Sequence, residues 1–291
     1  GAKPVFFFFY LKTMNIDETK IEKAITEKTK AIIPVHLAGR PVNMDKIMEI
    51  AKKHNLIVIE DAAHAIDAEY KGKKIGNIGD MTCFSFYVTK NITTGEGGMV
   101  LTNNKEYADK IKILALHGMS KDAWKRFSDD GYKHYEVIYP GFKYNMMDIQ
   151  ASLGIHQLKK LPQYDKHRKM IWDFYNKELK DLPIDLPSSA GKEIKHVMHL
   201  YTILVYEKRS GISRDEFMKE LHNRGIGSGV HYNPVHLHKY YRDTYGYKPG
   251  DFPNAEYIGS RTVSLPLSAK LTMEEAKRVV QAVKEILLKN K

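Results

Sequence analysis

The amino-acid sequence predicts an α/β fold in which a large domain with a mostly parallel sheet is followed by a smaller α+β domain. Two observations support this prediction. Apolar runs alternate with segments of helical periodicity through the first half of the chain, which is typical of sheets whose strands are joined by helices. After about Gln163 the pattern changes to charged helices and short strands. We therefore expect one domain over residues 1–165 and a second over residues 166–291.

The large domain is predicted to contain four strands and three helices. The strands are expected over residues 31–37, 56–60, 82–87 and 99–102, and the helices over residues 43–54, 105–116 and 147–161. The first of these helices is amphipathic, and its apolar positions are Met44, Ile47, Ile50 and Ala51. Pro162 is expected to break or kink the third helix. Residues 120–140 are polar, aromatic and unpatterned, which indicates a long functional loop.

The C-terminal domain is predicted from weaker patterns. A charged helix is expected to end near Leu179 and to be followed by a connection rich in proline, serine and glycine. A strand over residues 200–206, helices over residues 213–224 and 272–288, and short strands near Val230 and Thr262 complete the prediction.

Composition narrows the class of protein. Hydrophobic residues make up 43% and charged residues 28% of the 291 residues, as in soluble globular proteins. The most apolar segment, residues 5–11, is too short to span a membrane. A single cysteine, Cys83, excludes a disulfide within this chain and a cysteine-rich metal site. Its apolar surroundings indicate a buried structural thiol, and the reducing cytoplasm is the expected compartment.

The formal charge of +11 raises the question of anionic partners. The lysines are spread along the chain on predicted helix surfaces, without a long basic run or a nucleic-acid motif. A lysine-rich solvated surface therefore explains the charge better than nucleic-acid binding does. A basic site for a cofactor phosphate or a nucleotide diphosphate would also suit this charge.

Two ionisable residues lie where predicted strands end. Asp61 follows one apolar strand directly, and Lys90 follows another after a short turn. Ligands of open α/β sheets bind outside the carboxyl ends of the strands, so both residues are candidates for one site. Taken alone, each has an ordinary explanation, because an aspartate there often caps a helix and most lysines are surface charges.

The segments around these two residues resemble the DegT/DnrJ/StrS aminotransferases. EDAAHA at residues 60–65 resembles the motif that faces the cofactor nitrogen in that family, and SFYVTKNITTGEGG at residues 85–98 resembles its lysine motif. Further similar blocks follow in order at residues 117–125, 140–146, 148–154, 229–236 and 245–254. The resemblance implies the PLP-dependent transferase fold of the aspartate aminotransferase type (fold type I), with pyridoxal 5′-phosphate as cofactor.

The resemblance also implies roles for residues of the first domain. Lys90 would be the Schiff-base lysine and the base that moves the substrate proton. Asp61 would face the pyridine nitrogen and keep it protonated. Ser85 would bind the cofactor phosphate through its hydroxyl group. His64 would approach the cofactor ring or its phenolic oxygen, although a neutral histidine packed in the core is an equal alternative.

Other residues are implied to complete the site. Asn145 would reach the cofactor phosphate of a neighbouring subunit, which requires a homodimer, unless it only caps a turn or helix. His231 and His236 resemble positions near the substrate sugar or the cofactor, or are ordinary histidines. Trp124 and Lys125 could stack on a nucleotide base and neutralise its diphosphate.

The chain departs from the family at its beginning. Family members begin with a long segment that this chain lacks, and a run of phenylalanines at residues 6–9 replaces an alternating strand. We therefore expect that the chain is a fragment or that residues preceding Gly1 are missing from the sequence. If nothing precedes Gly1, weak cofactor binding and little activity are expected.

The predicted reaction is transfer of an amino group from L-glutamate to a nucleotide-linked keto-deoxy sugar, with C4 favoured over C3. Such a reaction belongs to the biosynthesis of amino sugars for surface glycans such as lipopolysaccharide. The alternatives are a non-catalytic regulatory or scaffold protein of the same fold and, with less support, a basic nucleic-acid-binding protein. Lys90, Asp61 and Ser85 are all present, which counts against the scaffold alternative.

Overall fold

A computed structural model of the chain describes residues 1–120 and 135–289. The helices in these ranges are α1 (Ile21–Ala24), α2 (Met44–His54), α3 (Lys105–Ala115), α4 (Asp148–Leu179), α5 (Glu207–Ser210), α6 (Arg214–Asn223), α7 (Lys239–Tyr245), α8 (Pro253–Gly259) and α9 (Met273–Lys289). The strands are β1 (Ala31–Ile32), β2 (Ile57–Asp61), β3 (Glu69–Tyr70), β4 (Lys73–Lys74), β5 (Met81–Ser85), β6 (Gly98–Leu101), β7 (Ile184–Asp185), β8 (Ile194–Lys195), β9 (Tyr201–Val205) and β10 (Thr262–Leu265).

The large domain is organised around a four-stranded sheet with the order β1-β2-β5-β6. Strands β1, β2 and β5 are parallel, whereas β6 runs antiparallel to β5. Alternate residues of β2 and β5 are buried, as expected for strands with one face on a core. The predicted α/β fold with a mostly parallel sheet is therefore confirmed.

The first strand is shorter than predicted. Ladder pairing is confined to β1, and Val35 adds a single bridge to Asp61 of β2. Pro34 explains the early end, because proline has no N–H to donate to a ladder. Its carbonyl still accepts the N–H of Asp61 at 2.9 Å, and the N–H of His36 then donates to the carbonyl of Asp61 at 3.0 Å. The chain is thus held against the end of β2 without forming a regular strand.

Helix α2 matches its prediction closely. Asn43 accepts the N–H of Lys46 as the N-cap, and Asn55 ends the helix in a left-handed conformation. The four apolar positions predicted to face the core are all buried. This helix packs β2 from one side and so supports the strand that carries Asp61.

Helix α4 continues through Pro162, so of the two predicted effects the break is wrong, whereas the kink stays a prediction. Proline inside a helix costs about 3 kcal/mol. Leu161 is buried in the core of the first domain, and Ile171 and Leu179 are buried in the core of the second. Burial contributes about 1.5–3 kcal/mol for each such side chain, which outweighs the cost of the proline. One helix therefore anchors both cores.

The second core is built on the antiparallel sheet β10-β9-β7, with α4, α6 and α9 around it. Tyr175, Tyr201 and Phe217 are among its fully buried side chains. A third small sheet, β4-β3-β8, brings β8 back to the first domain, where Val197 joins the first core. The predicted division between residues 165 and 166 stays a prediction.

The phenylalanine run at the start of the chain packs against the C-terminal half. The ring of Phe6 lies 5.0 Å from that of Tyr241, and the ring of Phe8 lies 5.4 Å from that of Phe252. Asn254 donates to the carbonyl of Phe9 at 2.8 Å. These rings are therefore part of a folded aromatic cluster. Within the described ranges, none of the helices combines the length and apolarity needed to cross a bilayer.

Candidate active site

The candidate residues of the large domain meet at the carboxyl edge of the central sheet. Asp61 is the last residue of β2 and pairs in register with Cys83 of β5, whose last residue is Ser85. Lys90 follows in a turn in which its N–H donates to the carbonyl of Tyr87 at 2.9 Å. The sheet therefore brings a carboxylate, a hydroxyl group and an amine to one edge, as the sequence predicted.

Cys83 is less buried than predicted. The side chain is half-buried, because it lies on the β5 position next to Asp61 rather than on the core face. Burial, and then the charge of Asp61, raise the pKa of its thiol. The thiol is therefore held protonated and is a poor nucleophile.

Lys90 is partly buried, and its surroundings make its proton easier to remove. Burial lowers its pKa from the ordinary value, and the carboxylate of Asp61 offsets this effect only in part. A neutral amine is the form that attacks a carbonyl group or accepts a proton.

Asp61 is held by a bond to its carboxylate and by the buried residues before it on the strand. Its carboxylate accepts the N–H of Ala63 at 3.0 Å. Beneath it, Glu60 and His36 form a fully buried pair with 2.8 Å between Oε2 and Nε2. Burial alone would raise the pKa of Glu60, but bonds from His36, Gly79 and Thr82 outweigh it and leave the pKa lowered. The strand end therefore rests on a satisfied polar network.

His64 is buried, as the alternative of a packed neutral histidine predicts, and its contact with the cofactor stays a prediction. Its Nδ1 accepts the N–H of Ala38 at 3.2 Å, and its Nε2 lies 3.3 Å from the hydroxyl of Tyr232. Burial, followed by the charges of Lys90 and His231, lowers its pKa to about 3. The ring is therefore neutral with the proton on Nε2, and it donates to Tyr232.

Three further residues of the site were not singled out from the sequence. The hydroxyl of Tyr232 contacts His64, and the ring of His199 packs tilted against that of His64 with 4.3 Å between ring centroids. Asn91 accepts from Nδ1 of His199 at 2.8 Å. Both Asn91 and His199 are buried. Asn91 and Tyr232 directly follow Lys90 and His231 in the chain, which was an available signal. His199 gave none beyond preceding a strand.

A close approach of two segments positions His199. Gly39 has a φ of +87°, and a Cβ there would lie 2.6 Å from the side chain of Val197 and 2.8 Å from the carbonyl of His64. The approach allows the N–H of His199 to donate to the carbonyl of Ala38 at 2.8 Å. Glycine is thus required for the segment containing His199 to reach the site.

The two histidines predicted near the substrate lie in different surroundings. His231 bonds Ser264 through Nδ1 at 2.8 Å, and burial and then the charge of Lys90 lower its pKa. His236 is buried against Phe252 and pairs with Glu256 at 3.0 Å. The charge of Lys90 thus acts on His231, while the roles of His231 and His236 stay predictions.

The remaining predicted residues are exposed or lie outside the described part of the chain. Asn145 is exposed, and its side-chain oxygen accepts from Lys143. Trp124 and Lys125 lie outside the residues that the structure describes.

The groups present fit pyridoxal phosphate. The amine of Lys90 suits its aldehyde, and the carboxylate of Asp61 suits its pyridine nitrogen. Ser85 accepts the N–H of Tyr87 at 3.3 Å, which leaves its own hydroxyl proton free for a phosphate oxygen. Within residues 1–120 and 135–289 there is no cluster of histidine, cysteine and acidic side chains that could hold a metal ion.

Comparison with known proteins decides the family. The DegT/DnrJ/EryC1/StrS aminotransferase family matches residues 1–284. The chain belongs to this family. Among its relatives, the uncharacterised protein MJ1066 of Methanocaldococcus jannaschii is 56% identical over 290 residues, covering 100% of this chain and 75% of that protein. The spore coat polysaccharide biosynthesis protein SpsC of Bacillus subtilis is 46% identical over 288 residues, covering 99% and 74%.

Solved structures of the DegT/DnrJ/EryC1/StrS family share the fold. Spr1654 of Streptococcus pneumoniae in its PMP form superposes with a TM-score of 0.91 at 34% identity, covering 100% of this chain and 77% of that one. PseC of Helicobacter pylori, an aminotransferase of pseudoaminic acid biosynthesis, gives a TM-score of 0.90 at 34% identity, covering 99% and 74%.

Proposed function

We propose that this protein is a PLP-dependent aminotransferase that moves an amino group from L-glutamate to C4 of a nucleotide-linked keto-deoxy sugar. It is a sugar aminotransferase by family, and pyridoxal 5′-phosphate is its cofactor. The observation that carries the proposal is Lys90, a partly buried lysine with a lowered pKa beside Asp61 at the strand edge. The relatives in polysaccharide and pseudoaminic acid biosynthesis support a product for surface glycans, lipopolysaccharide among them.

Four residues of this chain would hold the cofactor. Lys90 would bind it covalently, Ser85 would donate to its phosphate, Asp61 would pair with its protonated nitrogen, and His64 would pack on its ring or reach its phenolic oxygen. When bound, the cofactor withdraws electrons from the carbon that loses its proton. Asp61 supports this effect because its negative charge keeps the ring nitrogen protonated.

Lys90 would also move the proton at the reacting carbon. A base works best when its pKa lies near the operating pH, and burial shifts that of Lys90 in this direction. His64 is neutral, so it adds no positive charge opposite Asp61. Tyr232 accepts from His64 and can donate its own hydroxyl proton, because burial, and then the charge of Asp61, raise its pKa. It therefore offers a neutral donor to a substrate oxygen.

We propose that the active unit is a cytoplasmic homodimer. The first half of α4 exposes large apolar side chains, with Ile149 exposed by 74% and Leu153 by 51%. Exposed apolar surface of this kind is typical of an interface. Asn145 is exposed directly before it, in agreement with a role at the cofactor phosphate of the other subunit. The single cysteine suits a reducing compartment.

A substrate screen tests the proposal. The protein, with its cofactor, is incubated with L-glutamate and a panel of 4-keto and 3-keto deoxy-sugar nucleotides, and product mass is followed together with 2-oxoglutarate. We expect an amino-sugar nucleotide from a 4-keto substrate, with one 2-oxoglutarate for each. Cofactor binding without transfer to any member of the panel would instead favour a non-catalytic scaffold. Trp124, Lys125 and His236 are to be replaced singly by alanine, since each is proposed to affect the KM for the sugar nucleotide.

A further inference from the structure

A cleft opens where the turn before α2 faces residues of the C-terminal half. The cavity volume at its base is about 40 Å³, and the cleft is open to solvent on one side. The side chains that matter for its chemistry are Lys12, Arg40, Trp172, Ser188, His196 and His231. Besides His231, three of these six residues have basic side chains: Lys12, Arg40 and His196.

Arg40 is the central group of the cleft. It is partly buried, and burial lowers the pKa of its guanidinium group. Its Nη1 donates to the carbonyl of Ser188 at 3.0 Å and to the hydroxyl of Ser188 at 2.8 Å. Across residues 1–120 and 135–289, it forms no ion pair with a carboxylate. A partly desolvated cation with neutral partners is unfavourable unless another group compensates its charge.

His196 lines the cleft next to Arg40. Its Nδ1 accepts the N–H of Met198 at 3.0 Å, which places the proton on Nε2. Burial, and then the charge of Arg40, lower its pKa to about 4. The imidazole N–H also bonds the backbone of Gly39, which raises the pKa and offsets part of this effect. The cleft thus presents the guanidinium group of Arg40, with His196 beside it and Lys12 at its wall. A carboxylate or phosphate group is the ligand that this donor set recognises.

The cleft adjoins the proposed active site. His231 lines it, and the charge of Lys90 acts on this same histidine. Ala38 also lines it and donates its N–H to His64. A molecule reacting beside Lys90 could therefore extend a charged group towards Arg40.

We propose that Arg40, with His196 and Lys12, forms a subsite for an oxyanion of the substrate. The oxyanion is either a carboxylate of the amino-acid donor or a phosphate of the sugar nucleotide. This inference rests on the proposed function, since it assigns part of the substrate to a place in the site. The competing explanation is that Arg40 only fastens the segment containing Ser188 to the first domain.

Binding measurements on the cofactor-loaded protein test the proposal without turnover. Calorimetry is run with glutarate, a dicarboxylate that cannot be transaminated, and with uridine diphosphate. Arg40→Gln is expected to weaken one of the two by about tenfold to hundredfold, as expected for a lost charged hydrogen bond. The weakened ligand identifies the source of the oxyanion. Arg40→Lys keeps the positive charge but cannot form the paired hydrogen bonds of a guanidinium group. Its affinity for the weakened ligand is expected to lie between those of the wild type and Arg40→Gln.

Two matched variants separate binding from fastening. Ser188→Ala removes the side-chain bond to Arg40, keeps the bond to the backbone carbonyl and keeps the cation, and Arg209→Gln removes an exposed arginine paired with Asp185. Both are expected to bind the two ligands within about twofold of the wild type. The NMR-determined pKa of His196 is expected to rise in Arg40→Gln and, in the wild type, when the ligand binds.

Three outcomes would overturn the subsite. These are wild-type affinity in Arg40→Gln for both ligands, an equal loss in Ser188→Ala, and no binding of either ligand by the wild type. Failure of the proposed function is a separate result, because it requires that the wild type transfers no amino group.

Discussion

Asp165 and Asp67 form a carboxyl pair whose protonation should be visible in the pH dependence of stability. Asp165 lies on α4, and both of its oxygens are buried without a donor among the described residues. Burial, and then the charge of Asp67, raise the pKa of Asp165 to about 6. Burial would also raise the pKa of Asp67, but bonds from Lys195 and Lys74 outweigh it and lower that pKa. As the pH falls through about 6, Asp165 is thus the member that takes up the proton, while Asp67 stays charged.

The size of the stability change follows from the pKa shift of Asp165. The pKa of Asp165 moves from 3.8 to about 6, and each pKa unit corresponds to about 1.4 kcal/mol. Solvent screening at this partly exposed pair reduces the result to about 1–2 kcal/mol. Because the folded-state pKa is raised, this stability is fully present below about pH 4. It is lost as the pH rises through about 6.

Urea unfolding of the wild type and Asp165→Asn, followed from pH 4.5 to pH 8, measures the effect. The amide of Asp165→Asn can donate to Asp67 at any pH. Between pH 4.5 and pH 8 the free energy of unfolding of the variant should therefore rise by about 1–2 kcal/mol relative to that of the wild type. Asp173→Asn is the control, because Asp173 is an exposed carboxylate on the same helix. If the difference between wild type and Asp165→Asn stayed constant across this range, the proton-sharing pair would be refuted.

Three further variants test other parts of the site. Glu60→Gln places an amide N–H₂ group where Glu60 accepts three hydrogen bonds, so urea unfolding should show a free energy of unfolding lower by about 3–5 kcal/mol. The control Glu49→Gln, at an exposed position, should change it little. Ser85→Ala should weaken cofactor affinity about tenfold in a fluorescence titration, and unchanged affinity would remove Ser85 from the phosphate site. Tyr232→Phe should lower kcat about tenfold while cofactor affinity stays near that of the wild type, since only the hydroxyl is lost. An equal loss of cofactor affinity would instead make Tyr232 a structural residue.

Most of the secondary structure could be predicted from local sequence patterns. The strands that hold Asp61 and Ser85 begin and end within about two residues of their predicted bounds, because apolar runs and turns are local signals. Helix α2 was predicted for the same reason. Pro34 and Pro162 were misjudged in opposite directions. The strand near Pro34 ends earlier than predicted. The helix continues through Pro162 because buried residues on both sides of the proline stabilise it.

The contacts between distant segments could not be predicted in the same way. Lys90 and Asp61 were found because both follow strands of one sheet, whose carboxyl ends meet. His199 reaches His64 only through the approach at Gly39, which depends on the folded packing of Val197. The short strands β3 and β8 pair across more than a hundred residues and leave no periodic pattern.

The central claim is that Lys90 carries the cofactor, and borohydride trapping tests it most directly. The cofactor-loaded protein is reduced, digested and analysed by peptide mass, with Lys90→Ala and the exposed Lys105→Ala as the matched pair. We predict a cofactor-sized mass increase on the peptide containing Lys90 in the wild type and in Lys105→Ala. The visible absorption band of the bound cofactor and amino transfer should both be lost in Lys90→Ala. Modification of another lysine, or full amino transfer by Lys90→Ala, would contradict the claim.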